Sequence, residues 1–180
     1  MNDTTARAGL PAPEQGLYFS REQLIGFSRF FADEVCSGKF PFVDFDPEQR
    51  WHRRIYRDRR VDVWLISWLP SQGTQLHDHG GSSGAFTVLS GVLTEAVVTG
   101  GSVLHDHERG TGSTVGFGAH YVHDVRNLGD APAVSVHAYS APLTSMTYYD
   151  LADGALSTIT TLATDDPEPD VEPLPVRHAS

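Results

Sequence analysis

Short, β-rich segments separated by glycine-containing turns fill most of the chain after residue 51. Glycine contributes 17 and proline 11 of the 180 residues, which disfavours a helical bundle and favours short strands and turns. Many short, closely spaced strands are typical of an all-β sandwich or barrel. The predicted strands cover residues 61–68, 84–90, 92–98, 102–106, 114–117, 121–127 and 133–140.

One helix is predicted in front of these strands, at about residues 20–37. Ser20 followed by Gln23 forms the pattern of a capping box, and Gly38 is a suitable stop. Between them, apolar side chains recur at helical spacing at Leu24, Phe27, Phe31 and Val35.

The length suits a single domain. We predict a flexible N-terminal arm over residues 1–16, one domain over residues 17–163 with its barrel at about 51–150, and an acidic, proline-rich tail over residues 164–180. A long apolar run and a signal peptide are not evident, and the single cysteine excludes an intrachain disulfide, so we expect a cytoplasmic protein. The net charge of −10 argues against binding to nucleic acid or to anionic membranes.

The spacing of the nine histidines indicates a metal site. His77 and His79 flank Asp78, and residues i and i+2 of a strand point to the same face. Both imidazoles can therefore be directed at one point inside a barrel. The pair alone is a weak signal.

A third histidine strengthens this prediction. His123 lies on another predicted strand, about 45 residues later, so an antiparallel barrel can bring it to the first pair. His120 is a rival ligand, although it would face the opposite side of its strand, whereas His105 and His107 are interpreted as solvated loop residues. Imidazole ligands suit iron, zinc, copper or nickel, and the residues alone do not choose among them.

A row of polar side chains follows on the strand predicted at 133–140. Ser135, His137 and Tyr139 occupy alternate positions, so all three share one face and can form a hydrogen-bond relay. The alternative is the polar face of an exposed strand. A serine hydrolase is disfavoured because the Gly-x-Ser-x-Gly motif is missing.

These motifs together give the chain a resemblance to a known family. The segment GTQLHDHGGSSGAFTVLSG, residues 73–91, resembles the first motif of the cupin superfamily, and His123 with Asn127 resembles the second. Most cupins carry a glutamate ligand seven residues before the closing glycine, where this chain has Gly84. Within the superfamily the chain is similar, over about residues 51–150, to bacterial cysteine dioxygenases of type I.

The resemblance implies a cupin, jelly-roll β-barrel and a set of site residues. The metal would be Fe(2+), held by His77, His79 and His123. Tyr139 would be catalytic, with His137 and Ser135 behind it. Gly84 would exclude the cysteine–tyrosine cross-link of animal members.

The resemblance also implies substrate-binding residues. Tyr139 and Trp68 would contact the substrate, and an arginine would hold its carboxylate. The best match for this arginine is Arg53, with Arg54 as a serious rival and Arg57 a weaker one.

The implied activity is the oxidation of L-cysteine by O2 to cysteine sulfinate. One alternative is a dioxygenase for another small thiol such as 3-mercaptopropionate, since such enzymes commonly lack the arginine. Another is a non-enzymatic metal-binding cupin. From the family we expect a monomer whose partners are a small thiol and O2.

Overall fold

One helix and eleven strands form the described part of the chain, which in this computed structural model comprises residues 18–40, 42–100, 103–167 and 169. The predicted arm at 1–16 lies outside these residues. The elements are α1 (Arg21–Cys36), β1 (His52–Arg57), β2 (Asp62–Trp68), β3 (His77–Asp78), β4 (Ser83–Ser90), β5 (Val92–Thr99), β6 (Val103–Gly110), β7 (Thr114–Phe117), β8 (His123–Arg126), β9 (Ala133–Ser140), β10 (Ser145–Ala152) and β11 (Ala155–Ala163).

Helix α1 begins at the predicted capping box. The Ser20 hydroxyl accepts a hydrogen bond from the Gln23 amide at 3.3 Å, and the Gln23 side chain accepts one from the Ser20 amide at 2.8 Å. Its buried face, which includes Leu24, Phe27 and Phe31, packs on strands β2, β4 and β9. This helix is neither long nor apolar enough to cross a lipid bilayer.

The strands form two antiparallel sheets, which confirms the all-β prediction. The order is β1-β2-β9-β4-β7 in the first sheet and β11-β10-β3-β8-β5-β6 in the second. Helix α1 covers the outer face of the first sheet, and the second sheet lies against its inner face. Strands β2 and β9 are therefore buried at every position.

The two faces of β2 carry different apolar clusters. Val63 and Leu65 point outward and pack with the helix. Trp64, Ile66 and Trp68 point inward and pack with residues of the second sheet such as Val125. The inner face of the first sheet therefore faces the space in which the candidate site lies.

The second sheet continues past the predicted end of the barrel at about residue 150. Strands β10 and β11 form an antiparallel hairpin, and β11 reaches Ala163. Strand β11 is an edge strand that is largely exposed, so its sequence, ALSTITTLA, lacks the apolar alternation of a half-buried strand.

Candidate active site

Three buried histidines converge between the two sheets. His77 on β3 lies directly opposite His123 on β8 in the antiparallel register, and His79 follows the end of β3. One ligand nitrogen from each of the three lies within 4.8 Å of the others. The Nε2 atoms of His77 and His79 are 3.2 Å apart.

The outer ring nitrogens of two histidines are held by hydrogen bonds. His77 Nδ1 donates to the Gln75 carbonyl at 2.7 Å, and His123 Nδ1 donates to the Glu95 carboxylate at 2.9 Å. These bonds place the proton on Nδ1 and leave the Nε2 lone pairs directed at the common centre.

The cluster is suited to a metal ion. Burial, together with the neighbouring histidines, lowers the pKa of His77 and of His79 well below the usual value, so both rings are neutral. Within the described part of the chain, His79 Nδ1 is buried without a hydrogen-bond partner. Three imidazoles whose ring nitrogens converge on one point fit a divalent transition metal.

Glu95 on β5 is a site residue that sequence reasoning missed. Its carboxylate is fully buried and bonds His123, the Tyr121 hydroxyl at 3.0 Å and Arg109 Nη2 at 2.7 Å. Burial raises the pKa of Glu95, but its bonds and charge interactions with His123 and Arg109 outweigh burial and leave the pKa below the usual value. A lone acid inside the apolar strand VLTEAVVT was the signal in the sequence.

The predicted polar row on β9 forms a connected chain of hydrogen bonds. Trp68 Nε1 donates to Ser135 Oγ at 2.9 Å, Ser135 Oγ lies 2.8 Å from His137 Nε2, and His137 Nδ1 lies 3.3 Å from the Tyr139 hydroxyl. Each of these side chains is buried, so the alternative of an exposed polar face is wrong. Burial lowers the pKa of His137 to about 3, which keeps the ring neutral.

A pocket joins the histidine cluster to this hydrogen-bond chain. The space free of protein atoms here is about 250 Å³, a volume that includes solvent outside the pocket. The residues that line it come from both sheets and from the segment after β11: Ile66, Trp68, Thr74, His77, His123, Val125, His137, Tyr139 and Pro167. A small molecule in this pocket would contact the cluster and the Tyr139 end of the chain together.

The structure does not bring Arg53 to this pocket. Arg53 is exposed on β1 and pairs with Leu65, whose side chain points outward to the helix. Arg54 pairs with Trp64 on the inner face, and its guanidinium lies 4.4 Å from the centroid of that ring. Opposite residues of an antiparallel pair share a face, so Arg54 lies on the inner face with Trp64, although neither residue is among those that line the pocket.

Another arginine, Arg50, was not considered from the sequence. Its guanidinium lies 5.5 Å from the centroid of the Trp68 ring and donates a hydrogen bond to the Gly73 carbonyl. Its positive charge also lowers the pKa of His77 and of His137, although less than burial does.

Gly84 lies at the inner face beside the Tyr139 position. It pairs with Tyr139 on β9 and with Phe117 on β7. A Cβ atom at Gly84 would lie 2.4 Å from Phe117 Cζ and 3.1 Å from the Ala138 carbonyl oxygen. The Phe117 ring therefore fills the space that a carboxylate ligand or a cross-linking cysteine would need.

The remaining histidines lie apart from the cluster. His120 is exposed in the turn before β8, and His105 and His107 are exposed on strand β6, not in a loop. His52 on β1 bonds Asp166. His178 lies outside the described residues.

Solved structures establish the fold class. The chain is similar to oxalate oxidase in complex with the substrate analogue glycolate, at 14% identity and a TM-score of 0.50, over 61% of this chain and 60% of that one. It is also similar to a protein of Thermus thermophilus (22% identity, TM-score 0.49, 54% of this chain and 89% of that one). An uncharacterized protein of Klebsiella pneumoniae with a double-stranded β-helix domain matches at 16% identity and TM-score 0.48, over 72% of this chain and 94% of that one. The two antiparallel sheets and the similarity to oxalate oxidase support a cupin-type fold.

The family model for cysteine dioxygenase type I matches residues 36–152. The chain therefore belongs to the cysteine dioxygenase type I family, which makes it a metal-dependent cupin of the dioxygenase class.

Proposed function

We propose that this protein is an iron-dependent thiol dioxygenase that converts L-cysteine and O2 to cysteine sulfinate. The observation that carries the proposal is a buried cluster of three histidines that shares a pocket with the Ser135–His137–Tyr139 chain. In the balanced reaction, a thiol and one O2 give one sulfinic acid. Both oxygen atoms bond to sulfur, which loses four electrons while O2 gains them.

The Nε2 atoms of His77, His79 and His123 would hold Fe(2+). When bound, the metal provides a place for the thiolate sulfur and the electron chemistry that O2 requires. Because a metal-bound imidazole carries no charge of its own, three such ligands would leave the full charge of a divalent cation to favour an anionic thiolate over a thiol.

Glu95 would fix the orientation of one ligand. Its carboxylate accepts the Nδ1 proton of His123, and Arg109 and Tyr121 hold that carboxylate in turn. A charged acceptor on the outer nitrogen makes the ring a stronger metal ligand and prevents it from rotating.

The hydrogen-bond chain on β9 would set the position of the Tyr139 proton. The Trp68 indole donates to the Ser135 oxygen, and in the proposed order the Ser135 hydroxyl donates in turn to His137 Nε2. The neutral His137 then carries its proton on Nδ1 and donates it to the Tyr139 oxygen. The Tyr139 hydroxyl proton is thereby turned to the pocket, where it would donate to the substrate.

Arg54 would recognise the substrate carboxylate, in place of Arg53. Its planar guanidinium matches a carboxylate and is held against the Trp64 ring on the inner face of the first sheet. One observation favours 3-mercaptopropionate as a second candidate substrate. Arg54 Nη2 is already bonded to the Asp165 carboxylate, at 3.0 Å, and dioxygenases for this thiol commonly lack an arginine that binds the substrate.

The test is sulfinate formation by the Fe(2+)-loaded protein, with L-cysteine and 3-mercaptopropionate assayed in parallel. We expect cysteine sulfinate from the wild-type protein and none from His123→Ala, whose iron content should also fall. His120→Ala is the matched control, because this histidine is exposed and lies outside the cluster. Preference for 3-mercaptopropionate would make that thiol, and not L-cysteine, the substrate. Bound iron without turnover of any thiol would indicate a binding cupin.

A further inference from the structure

The chain returns to strand β1 of the first sheet immediately after β11, where residues 164–167 are here termed the strap, and Pro167 of the strap lines the pocket. We propose that the strap determines substrate selectivity. Asp165 occupies the Arg54 guanidinium as a built-in competitor, so that a substrate carboxylate must displace it, while Pro167 forms one wall of the pocket. This inference rests on the proposed function for the class of substrate, a small thiol that carries a carboxylate.

Two acidic residues join the strap to strand β1. The Asp165 carboxylate lies 3.0 Å from Arg54 Nη2 and 2.8 Å from Arg57 Nη1. The Asp165 carbonyl also accepts a bond from Arg54 Nη2, at 2.5 Å. Asp166 bonds His52 Nε2 at 3.0 Å. The strap thereby engages three side chains of β1.

The strap also has internal order. The Thr164 hydroxyl accepts a bond from the Asp166 amide at 3.0 Å and donates to the Asp166 carbonyl at 3.1 Å, which closes a tight turn. The Thr164 amide donates to the Thr144 carbonyl just before β10. This turn presents Pro167, which is buried, to the pocket beside Trp68, His137 and Tyr139.

The strength of the Asp165 contact suits a competitor. Hydrogen bonds from Arg54 and Arg57 lower the pKa of Asp165 below its usual value, so at neutral pH it is ionised, as a substrate carboxylate is. Its side chain is 63% exposed, however, and exposed ion pairs contribute little to stability. A substrate anchored through its sulfur would present its carboxylate at high effective concentration and could displace Asp165.

The experiment compares thiol binding by the wild-type protein and by Asp165→Asn, which removes the charge and retains the size. Dissociation constants are measured by calorimetry on the Fe(2+)-loaded protein without oxygen. L-Cysteine is compared with cysteamine, which lacks only the carboxylate. We expect Asp165→Asn to bind L-cysteine about 3- to 10-fold more tightly, because it removes a weak competitor, and to bind cysteamine with unchanged affinity.

Two variants serve as controls. Asp165→Glu keeps the charge and should retain the wild-type ratio of the dissociation constants for L-cysteine and cysteamine. Asp153→Asn removes another exposed charge, in the β10–β11 turn, and should not change the dissociation constant of either thiol. Hydrogen exchange at the Thr164 amide, which is bonded to the Thr144 carbonyl, measures release of the strap. L-Cysteine should accelerate this exchange in the wild-type protein because it displaces Asp165.

The outcomes separate this inference from the proposed function. The strap proposal alone is overturned if sulfinate is produced but Asp165→Asn binds both thiols with wild-type affinity. It is also overturned if the affinity for both thiols rises equally. If no variant binds either thiol, the proposed substrate class and the competition both fail.

Discussion

His77 lies directly opposite His123 in the antiparallel pairing of β3 with β8, with ring centroids 4.9 Å apart. This pairing means that strand register, not loop conformation, places two of the three candidate metal ligands. On the same sheet, β5 pairs with β8 so that Glu95 lies opposite Val125, within reach of the His123 ring. A shift of register by one residue would remove both relationships.

Glu95 should control metal affinity. Glu95→Gln removes the charge that His123, Arg109 and Tyr121 share, so we expect metal affinity about 10-fold weaker. Competition with a chelator measures it. The control is Glu108→Gln, an exposed acid on the neighbouring strand β6. Unchanged metal affinity in Glu95→Gln would contradict a positioning role for this carboxylate.

Gly84 should tolerate no side chain while Phe117 is present. Because a Cβ there would overlap the Phe117 ring, Gly84→Ala should lower the free energy of unfolding by about 1–3 kcal/mol. Chemical denaturation measures this loss. The double variant with Phe117→Leu should lose less than the sum of the two single variants. Strictly additive losses would show that the two residues do not compete for space.

Asp62 should make stability depend on pH. Both of its oxygens are buried, and burial raises the pKa of Asp62 to about 6 despite the opposing interactions with Trp64, Arg57 and Arg54. A raised pKa in the folded state favours folding at pH below 4 and loses that contribution as the pH rises through 6.

The variant Asp62→Asn should therefore be more stable than the wild type at pH 8, by about 1–3 kcal/mol, with little difference at pH 4. Thermal unfolding at the two pH values checks this. An equal change in stability at both would contradict a titrating Asp62.

Trp68 should act on the reaction through Ser135. Trp68→Phe keeps an aromatic wall but removes the Nε1 group that donates to Ser135 Oγ at 2.9 Å. The direction of the hydrogen bonds from Ser135 to Tyr139 is then no longer fixed. We expect kcat to fall about 10-fold, the equivalent of one hydrogen bond, with unchanged iron content. Ser135→Ala should give a similar loss. The double variant should be no worse than either single variant, and multiplied losses would argue against a connected chain.

The features that the sequence predicted correctly are those with local periodicity. The capping box and the apolar spacing of α1 specify the helix, and the alternation on β9 places Ser135, His137 and Tyr139 on one face. His77 and His79 could be paired for the same reason.

The features that were missed depend on contacts between distant segments. Glu95 reaches His123 only through the pairing of β5 with β8. The charged run around β1 contains cations on both faces, and a bulge between Arg54 and Tyr56 shifts the register of the pairing with β2. The sequence alone therefore did not show whether Arg53 or Arg54 lies on the inner face. The strap was predicted only as part of a solvated tail, since its anchors, His52, Arg54 and Arg57, lie more than 100 residues earlier.

The most direct test of the central claim is the fate of the oxygen atoms. The Fe(2+)-loaded protein is given L-cysteine under ¹⁸O2, and the product is analysed by mass spectrometry. We predict cysteine sulfinate with two labelled oxygen atoms and one O2 consumed per product. Cystine as the product, or sulfinate that contains oxygen from water, would contradict a thiol dioxygenase.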